Sequence, residues 1–449
     1  MENYLFNEFQ EVTPLAWKNK IQADLKGADY NETLLWKTNE GITVKPFYTI
    51  EDRTYQQINL SKKGFNICQS ITIENEEEAS SFAIDSLQRG ANSIEFIANK
   101  PFDYKKLLTN NNLQKATLYF KLNFLASEFV IELAKHLNSD TCFFNIDSIG
   151  HLASSGNWYQ NMASDYKELE SIIKHTHHSI AVNANIYQNA GANTIQQLAY
   201  ALAHANEYLN HFGKEVASNI HFNFSVGSNY FFEIAKLRAF RILWTALLNE
   251  YEVENTTAHI FAQPSLRNKT LYDYNVNMLR TTSECMSAIL GGANTITNNS
   301  YDKIFHKPNE FGERISRNQL LILQQESELG EAQHIADGSY YIESLTEQLA
   351  QQALNVFKQI EKGGGFLKQL KEGIIQRKII ESASKEQEQF DTGKLILLGT
   401  NKIQNENDKM KNQLEIDAFM PIRNQKTLIQ PIIQKRLAEK LEQERLRHE

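Results

Sequence analysis

The sequence predicts an α/β fold: a (β/α)8 TIM barrel with an N-terminal helical arm and a C-terminal helical extension. Three observations carry the prediction. Short β-branched or aromatic runs recur at ICQSITI (67–73), SIEFIA (93–98), TLYFKL (117–122), CFFNI (142–146), SIAVNA (179–184), IHFNFSV (220–226), AHIFA (258–262) and NTIT (294–297). The segments between them place apolar residues at helical spacing, as in Ala79, Phe82, Ala83, Ser86 and Leu87 before Gly90, and in Ile234, Leu237, Phe240, Trp244 and Leu247. No GxGxxG follows the first run, so the usual mark of an open dinucleotide-binding sheet is missing. Alternating strands and helices imply parallel pairing through right-handed crossovers. Eight such units in about 250 residues match a closed barrel better than an open sheet.

Before the first run lies an arm, residues 1–60. Thr13 can cap a helix there, Pro14 suits its first position, and Gly27 can close it. Trp17, Ile21 and Leu25 recur every fourth residue and form one apolar stripe. The stripe precedes any sheet, so it packs either on the main body or on a partner. Residues 61–400 are assigned to the barrel and its helical extension. In the extension Leu320, Leu321 and Leu323 share one amphipathic run, and GSYYIESLTEQLAQQALNVFKQIEKGGG reads as a long helix stopped by Gly363–Gly365. Residues 401–449 read as a polar linker, NKIQNENDKMKNQ, and then a solvated tail helix with Ile433, Leu437 and Leu441 on one side. That helix has too few heptads for a coiled coil.

The chain of 449 residues has a formal charge of -8 and charges of both signs throughout, so it lacks the basic face that nucleic acid requires. Cys68, Cys142 and Cys285 are odd in number and far apart, which excludes a disulfide framework and metal-ligand spacing. MENYLFNEFQEV carries acidic residues where a signal peptide is basic, and no run approaches the ~18 apolar residues of a membrane span. A cytoplasmic protein with no membrane or nucleic-acid partner is expected.

In a barrel, function sits at the strand C-termini and the loops that follow. The loops to inspect are 183–192, 226–230, 262–275 and 297–303, all rich in Asn, Gln, Ser and Tyr. As read from the sequence, none offers a lysine base beside a carboxylate, a Ser–His–Asp set, or metal-ligand spacing. His175, His177 and His178 fall at the opposite end and lack complementary carboxylates, so a solvated loop is expected rather than a metal site. Gly363–Gly365 follows no strand and precedes no GK[ST], so it is a helix stop and not a phosphate cradle. Cys285 lies on an apolar helix face with Met286 and Ile289 and has nothing basic to activate it.

Several of these segments carry a resemblance. GSNYFFEIAKLRAFRILW (227–244), LRTTSECMSAILGGANTITNNSYD (279–302), ISRNQLLILQQES (315–327) and DGSYYIESLT (337–346) resemble the methylmalonyl-CoA mutase family. WKNKIQADLKG and LLWKTNEGITVKPFY look like the entry segment of that family's small subunits. The resemblance implies radical rearrangement of a CoA ester threaded through the barrel, with adenosylcobalamin supplying the hard chemistry. It also implies losses. The family's GYHMQEAGA aligns with Ala184–Ala192 through Gln188 and the AGA turn, but Asn185 replaces the tyrosine and Ile186 the histidine. The family's histidine hydrogen-bonds the thioester carbonyl, and Ile186 has no donor. In the segment similar to TEQDPYNN, Tyr272 replaces the glutamine and Val276 one asparagine. RLS becomes Asn219, Ile220 and His221, and the YAGFST loop and the carboxylate-binding arginine have no counterpart. Gln188, Asn219, His221 and Asn229 are what remains of a substrate pocket on this alignment, with no metal ligand among them.

A DxHxxG cobalamin signature is also absent before the chain ends. The resemblance therefore implies a non-catalytic small subunit, with no cofactor of its own and adenosylcobalamin in a catalytic large subunit that partners it. Its arm would wrap that partner, and its bore would be filled by side chains such as Ile186 and Phe224. Two other readings stay open at this point: the catalytic barrel chain of a split mutase, and a free-standing CoA-ester-binding barrel.

Overall fold

The computed structural model describes residues 8–53, 58, 60, 64–110, 112–137, 139–331, 334–419 and 425–449. The start of the arm, residues 1–7, and residues 420–424 of the tail lie outside the described residues.

Eight parallel strands form the barrel: β1 (Asn66–Thr72), β2 (Ser93–Ala98), β3 (Thr117–Leu122), β4 (Cys142–Asn145), β5 (Ile180–Asn183), β6 (Ile220–Val226), β7 (His259–Pro264) and β8 (Thr295–Thr297). They are the eight runs read from the sequence, within two residues at each end. Their order is β4-β3-β2-β1-β8-β7-β6-β5. Two backbone bonds of 2.9 Å complete the circle between β4 and β5, from Phe144 N–H to the His178 carbonyl and from Ala181 N–H to the Ile146 carbonyl.

Each strand alternates between two environments, as the period of two requires. Ile94, Phe96, Leu118, Phe120, Phe144, Val182 and Ile260 point outward into the core beneath the helices. On β6 the outward set is Phe222, Phe224 and Val226, and this corrects one expectation. Phe224 does not fill the bore; its ring lies 4.8 Å from Phe240 on the helix Tyr230–Glu250. Phe222 meets Phe240 and Trp244 of the same helix at 4.5 and 4.9 Å. These aromatic contacts fix the phase of β6, which turns His221, Asn223 and Ser225 inward.

The arm helix runs from Pro14 to Asp24, and the Thr13 hydroxyl accepts the Ala16 N–H as a cap. None of its residues is buried. Trp17 is half exposed and meets an edge of Phe47, at 6.4 Å. The tail differs from its expectation. Met410 inside the supposed linker is fully buried, and the helix Glu439–His448 buries Glu439 and Glu442 rather than a leucine stripe. Residues 425–437 form a strap over the C-terminal face of the barrel. Leu428 and Ile429 donate to the Gly156 carbonyl, Ile432 to Ala153, Lys435 to Asn189 and Leu437 to Arg267. Among the described residues, no helix is long and apolar enough to cross a membrane.

Candidate functional site

The bore has two levels. The lower one, toward the strand N-termini, is aromatic. Tyr119 stacks on Phe143 at 4.8 Å and meets Phe261 edge-on at 4.9 Å. Phe143 in turn stacks on His259 and His178, at 4.2 and 4.5 Å, and meets the edge of His221. Cys68 completes the cluster, and Tyr119, Phe143 and Phe261 are all buried. The Tyr119 hydroxyl is held by Thr295 Oγ1 at 2.7 Å and His259 Nε2 at 2.8 Å. His178 was expected in a solvated loop with His175 and His177; those two are exposed, but the His178 ring is drawn under the barrel by Phe143. Burial pushes His221 down to about 3 and carries His259 well below the ordinary histidine range, so both rings are neutral near pH 7. Neither His221 nitrogen has a hydrogen-bond partner among the described residues.

The upper level is mostly polar, with Ile97 an apolar inward residue in register with Lys121. Ser70 donates to Glu95 at 2.6 Å and shares a 3.0 Å bond with Thr297. Asn223 donates to Asn183, which donates to Asn145 and Asp147, at 2.8, 3.0 and 3.0 Å. Lys121 pairs in register with Asn145, and Gln263 with Ser225. Each strand contributes an inward polar side chain at this height.

Above the rim, the segment after β5 folds as a short helix, Asn185–Asn189. Tyr187 turns outward into the helix layer, where its hydroxyl bonds His204 Nδ1 at 2.9 Å. His204 Nε2 and the Tyr208 hydroxyl reach Asp147 Oδ1 at 2.9 and 2.8 Å. Burial raises the Asp147 carboxyl, but His204 and the bonds from Asn183 and Gly150 outweigh it and hold the acid below its ordinary range. This buried Tyr–His–Asp chain braces the rim: Tyr187 and His204 lie in the helix layer, and Asp147 ties them to Asn183 of the bore. Asn185 and Ile186 are buried at the mouth, and the Asn185 side-chain oxygen, Oδ1, has no partner among the described residues.

Two lysine–carboxylate pairs lie at this rim, against the expectation that none would. Lys236 pairs with Glu233 and also donates to the Ser225 carbonyl, Gln197 and Gln188, at 2.7, 2.9 and 3.3 Å. Lys269 donates to both oxygens of Glu284, at 2.9 and 2.7 Å. Burial pulls both ammonium groups below the ordinary lysine range, against the charge of their partners. Each ammonium is committed to its carboxylate and to further polar partners, so the pairs act as struts. The first was visible as an i,i+3 pair in FFEIAKLR, inside a segment read only for its apolar face.

The remaining predicted residues do not converge on one pocket. Gln188 bonds Glu233 at 3.1 Å, and Asn229 is an exposed residue just before the helix Tyr230–Glu250. Asn219 and His221 sit at the far end, around the start of β6. Tyr272 turns away to the tail, donating to Glu449 at 2.5 Å beneath the Arg445 guanidinium, 3.9 Å above its ring. Among the described residues no group of three or more His, Cys, Asp or Glu could hold a metal ion.

Residues 122–447 match the family described as Methylmalonyl-CoA mutase. The chain belongs to that family. It is 33% identical to the methylmalonyl-CoA mutase small subunit of Porphyromonas gingivalis over 444 residues, covering 89% of this chain and 71% of that protein. It is 34% identical to the methylmalonyl-CoA mutase of Escherichia coli over 55% of this chain and 36% of that one. It is also 33% identical to the methylmalonyl-CoA mutase large subunit of Propionibacterium freudenreichii subsp. shermanii, over 59% and 37%. In these last two alignments the chain spans roughly a third of the relative's length. The mutase family is adenosylcobalamin dependent and its members are isomerases.

Proposed function

We propose that the chain is the non-catalytic small subunit of a heterodimeric methylmalonyl-CoA mutase, which interconverts succinyl-CoA and methylmalonyl-CoA in propionate metabolism in the cytoplasm. The observation that carries this reading is the aromatic floor. Tyr119, Phe143 and Phe261 close the bore through which the family's CoA ester would thread. The loss of the tyrosine and histidine at Asn185 and Ile186 agrees with it, because a missing preorganised donor costs ~10²–10³ in rate.

Adenosylcobalamin is assigned to the partner. The residues at this mouth do not fit a corrin: the strap is hydrogen-bonded across that face to Asn189 and Arg267, and Arg445 covers Tyr272. The exposed apolar residues of the arm, Val12, Leu15 and Trp17, offer the large subunit a surface to cover.

The test is to purify the chain alone and with a candidate large subunit, and to assay adenosylcobalamin-dependent turnover of succinyl-CoA. Turnover by this chain alone would overturn the reading in favour of a split mutase. Activity only in the mixture, together with a higher melting temperature of the large subunit, is the expected result.

A further inference from the structure

A barrel with nothing to bind fills its interior with layers of branched aliphatic side chains. This one does not. Above the aromatic floor the inward positions include Glu95, Lys121, Asn145, Asn183, Asn223 and Gln263, with Ile97 as an apolar member in register with Lys121. Burying such groups costs free energy unless each meets a partner or water. Part of the ring is self-satisfied, since Asn223, Asn183 and Asn145 form a chain of hydrogen bonds. The rest is not. The Lys121 ammonium and the Gln263 carboxamide have no hydrogen-bond or ion-pair partner among the described residues, and only Ser70 donates to Glu95 there. Lys121, Asn183 and Gln263 are partly exposed, so water reaches the ring from the mouth.

We infer that the upper bore is a binding cup for a small free carboxylic acid that also carries a hydrogen-bond donor, such as a hydroxy or amino acid. Lys121 and Asn145 pair in register on neighbouring strands, and an ammonium and a carboxamide from such a pair together suit a carboxylate. Glu95 is the acceptor for the ligand's hydroxyl or ammonium group. A doubly charged phosphate is disfavoured, because Glu95 stands on the strand next to Lys121 and its carboxylate repels a second negative charge there. The floor sets the length: Tyr119, Phe143 and Phe261 stop anything that would extend through the barrel, so the ligand carries no CoA arm. The cup rests on the bore's geometry and stands independently of the subunit assignment.

The experiment is isothermal titration of the full chain, without cobalamin or partner, using L-malate, L-serine and acetyl-CoA as probes. The expected result is that a free acid binds with Kd of about 1 mM or tighter, and that Lys121→Met weakens it at least about tenfold. If that variant melts early, Gln263→Leu carries the same test. Binding of neither acid, binding unchanged in both variants, or binding of acetyl-CoA alone would each overturn the cup. None of these outcomes bears on turnover with a large subunit.

Discussion

Acid is expected to loosen this barrel from its floor, and His221 is where the effect can be measured. The ring is fully buried on β6 with Phe143 at its edge, and its neighbours His178 and His259 add like charge if they protonate. Its folded pKa is about 3, against 6.5 for the free side chain. Below pH 6.5 the unfolded chain takes up a proton that the folded chain refuses. Stability therefore falls as pH drops from 6.5 toward 3, and this contribution levels off below that. Each pH unit in the window costs about 1.4 kcal/mol, so at pH 5 His221 alone accounts for about 2 kcal/mol. Other groups titrate there too, so the comparison is with His221→Phe, which removes the ring nitrogens without sacrificing a hydrogen bond. Urea unfolding of both proteins at pH 7 and pH 5 gives the number. The wild type should lose about 2 kcal/mol more than the variant between the two pH values. Parallel losses, within about 0.5 kcal/mol, would show that the ring is hydrated or already protonated in the fold.

Two further outcomes follow from contacts in the rim and the strap. Tyr187→Phe deletes the hydroxyl bonded to His204 and strands a buried ring nitrogen, so it should cost about 1–3 kcal/mol in urea unfolding; an unchanged midpoint would remove the bracing role of that chain. Gly156→Ala places a methyl 2.7 Å from the Ile429 carbonyl oxygen at a φ of +81°, and should lift the strap. Limited proteolysis should then cut within residues 425–437 faster than in Gly27→Ala, where φ is +98° but the added methyl meets nothing within 4 Å. Equal cutting would mean that the strap does not depend on this close approach.

The strands were legible because each is a short run of β-branched and aromatic residues set off by helical spacing, and the barrel followed from their number. The phase of β6 was not. IHFNFSV presents two alternating faces, each with something to recommend it as the inner one. Only the helix Tyr230–Glu250, whose Phe240 and Trp244 receive Phe222 and Phe224, decides between them. The Lys269–Glu284 strut joins residues 15 apart on a loop and a helix, and no local pattern reveals it. The strap is hidden from the sequence for a different reason. Its hold on the barrel is largely backbone hydrogen bonding to Gly156, Ala153, Asn189 and Arg267, and side-chain composition carries no trace of that. Buried Glu442 likewise looks like a solvated charge until the Arg436 guanidinium and the Leu271 N–H are seen to reach it, at 2.6 and 2.7 Å.

The two levels of the bore also bear on each other. A floor of Tyr119, Phe143 and Phe261 alone would leave the barrel a plain core, and the polar ring alone would leave an open tube. Together they make a closed-ended cup whose lower boundary is rigid, because the Tyr119 hydroxyl is tied to β7 and β8 through His259 and Thr295. The same level couples the floor to acid: a proton on His259 would bury a positive charge beside His221 and His178, among the aromatic rings of the floor. The floor is therefore expected to hold the cup closed near neutral pH and to yield first when the histidines beneath it are forced to charge.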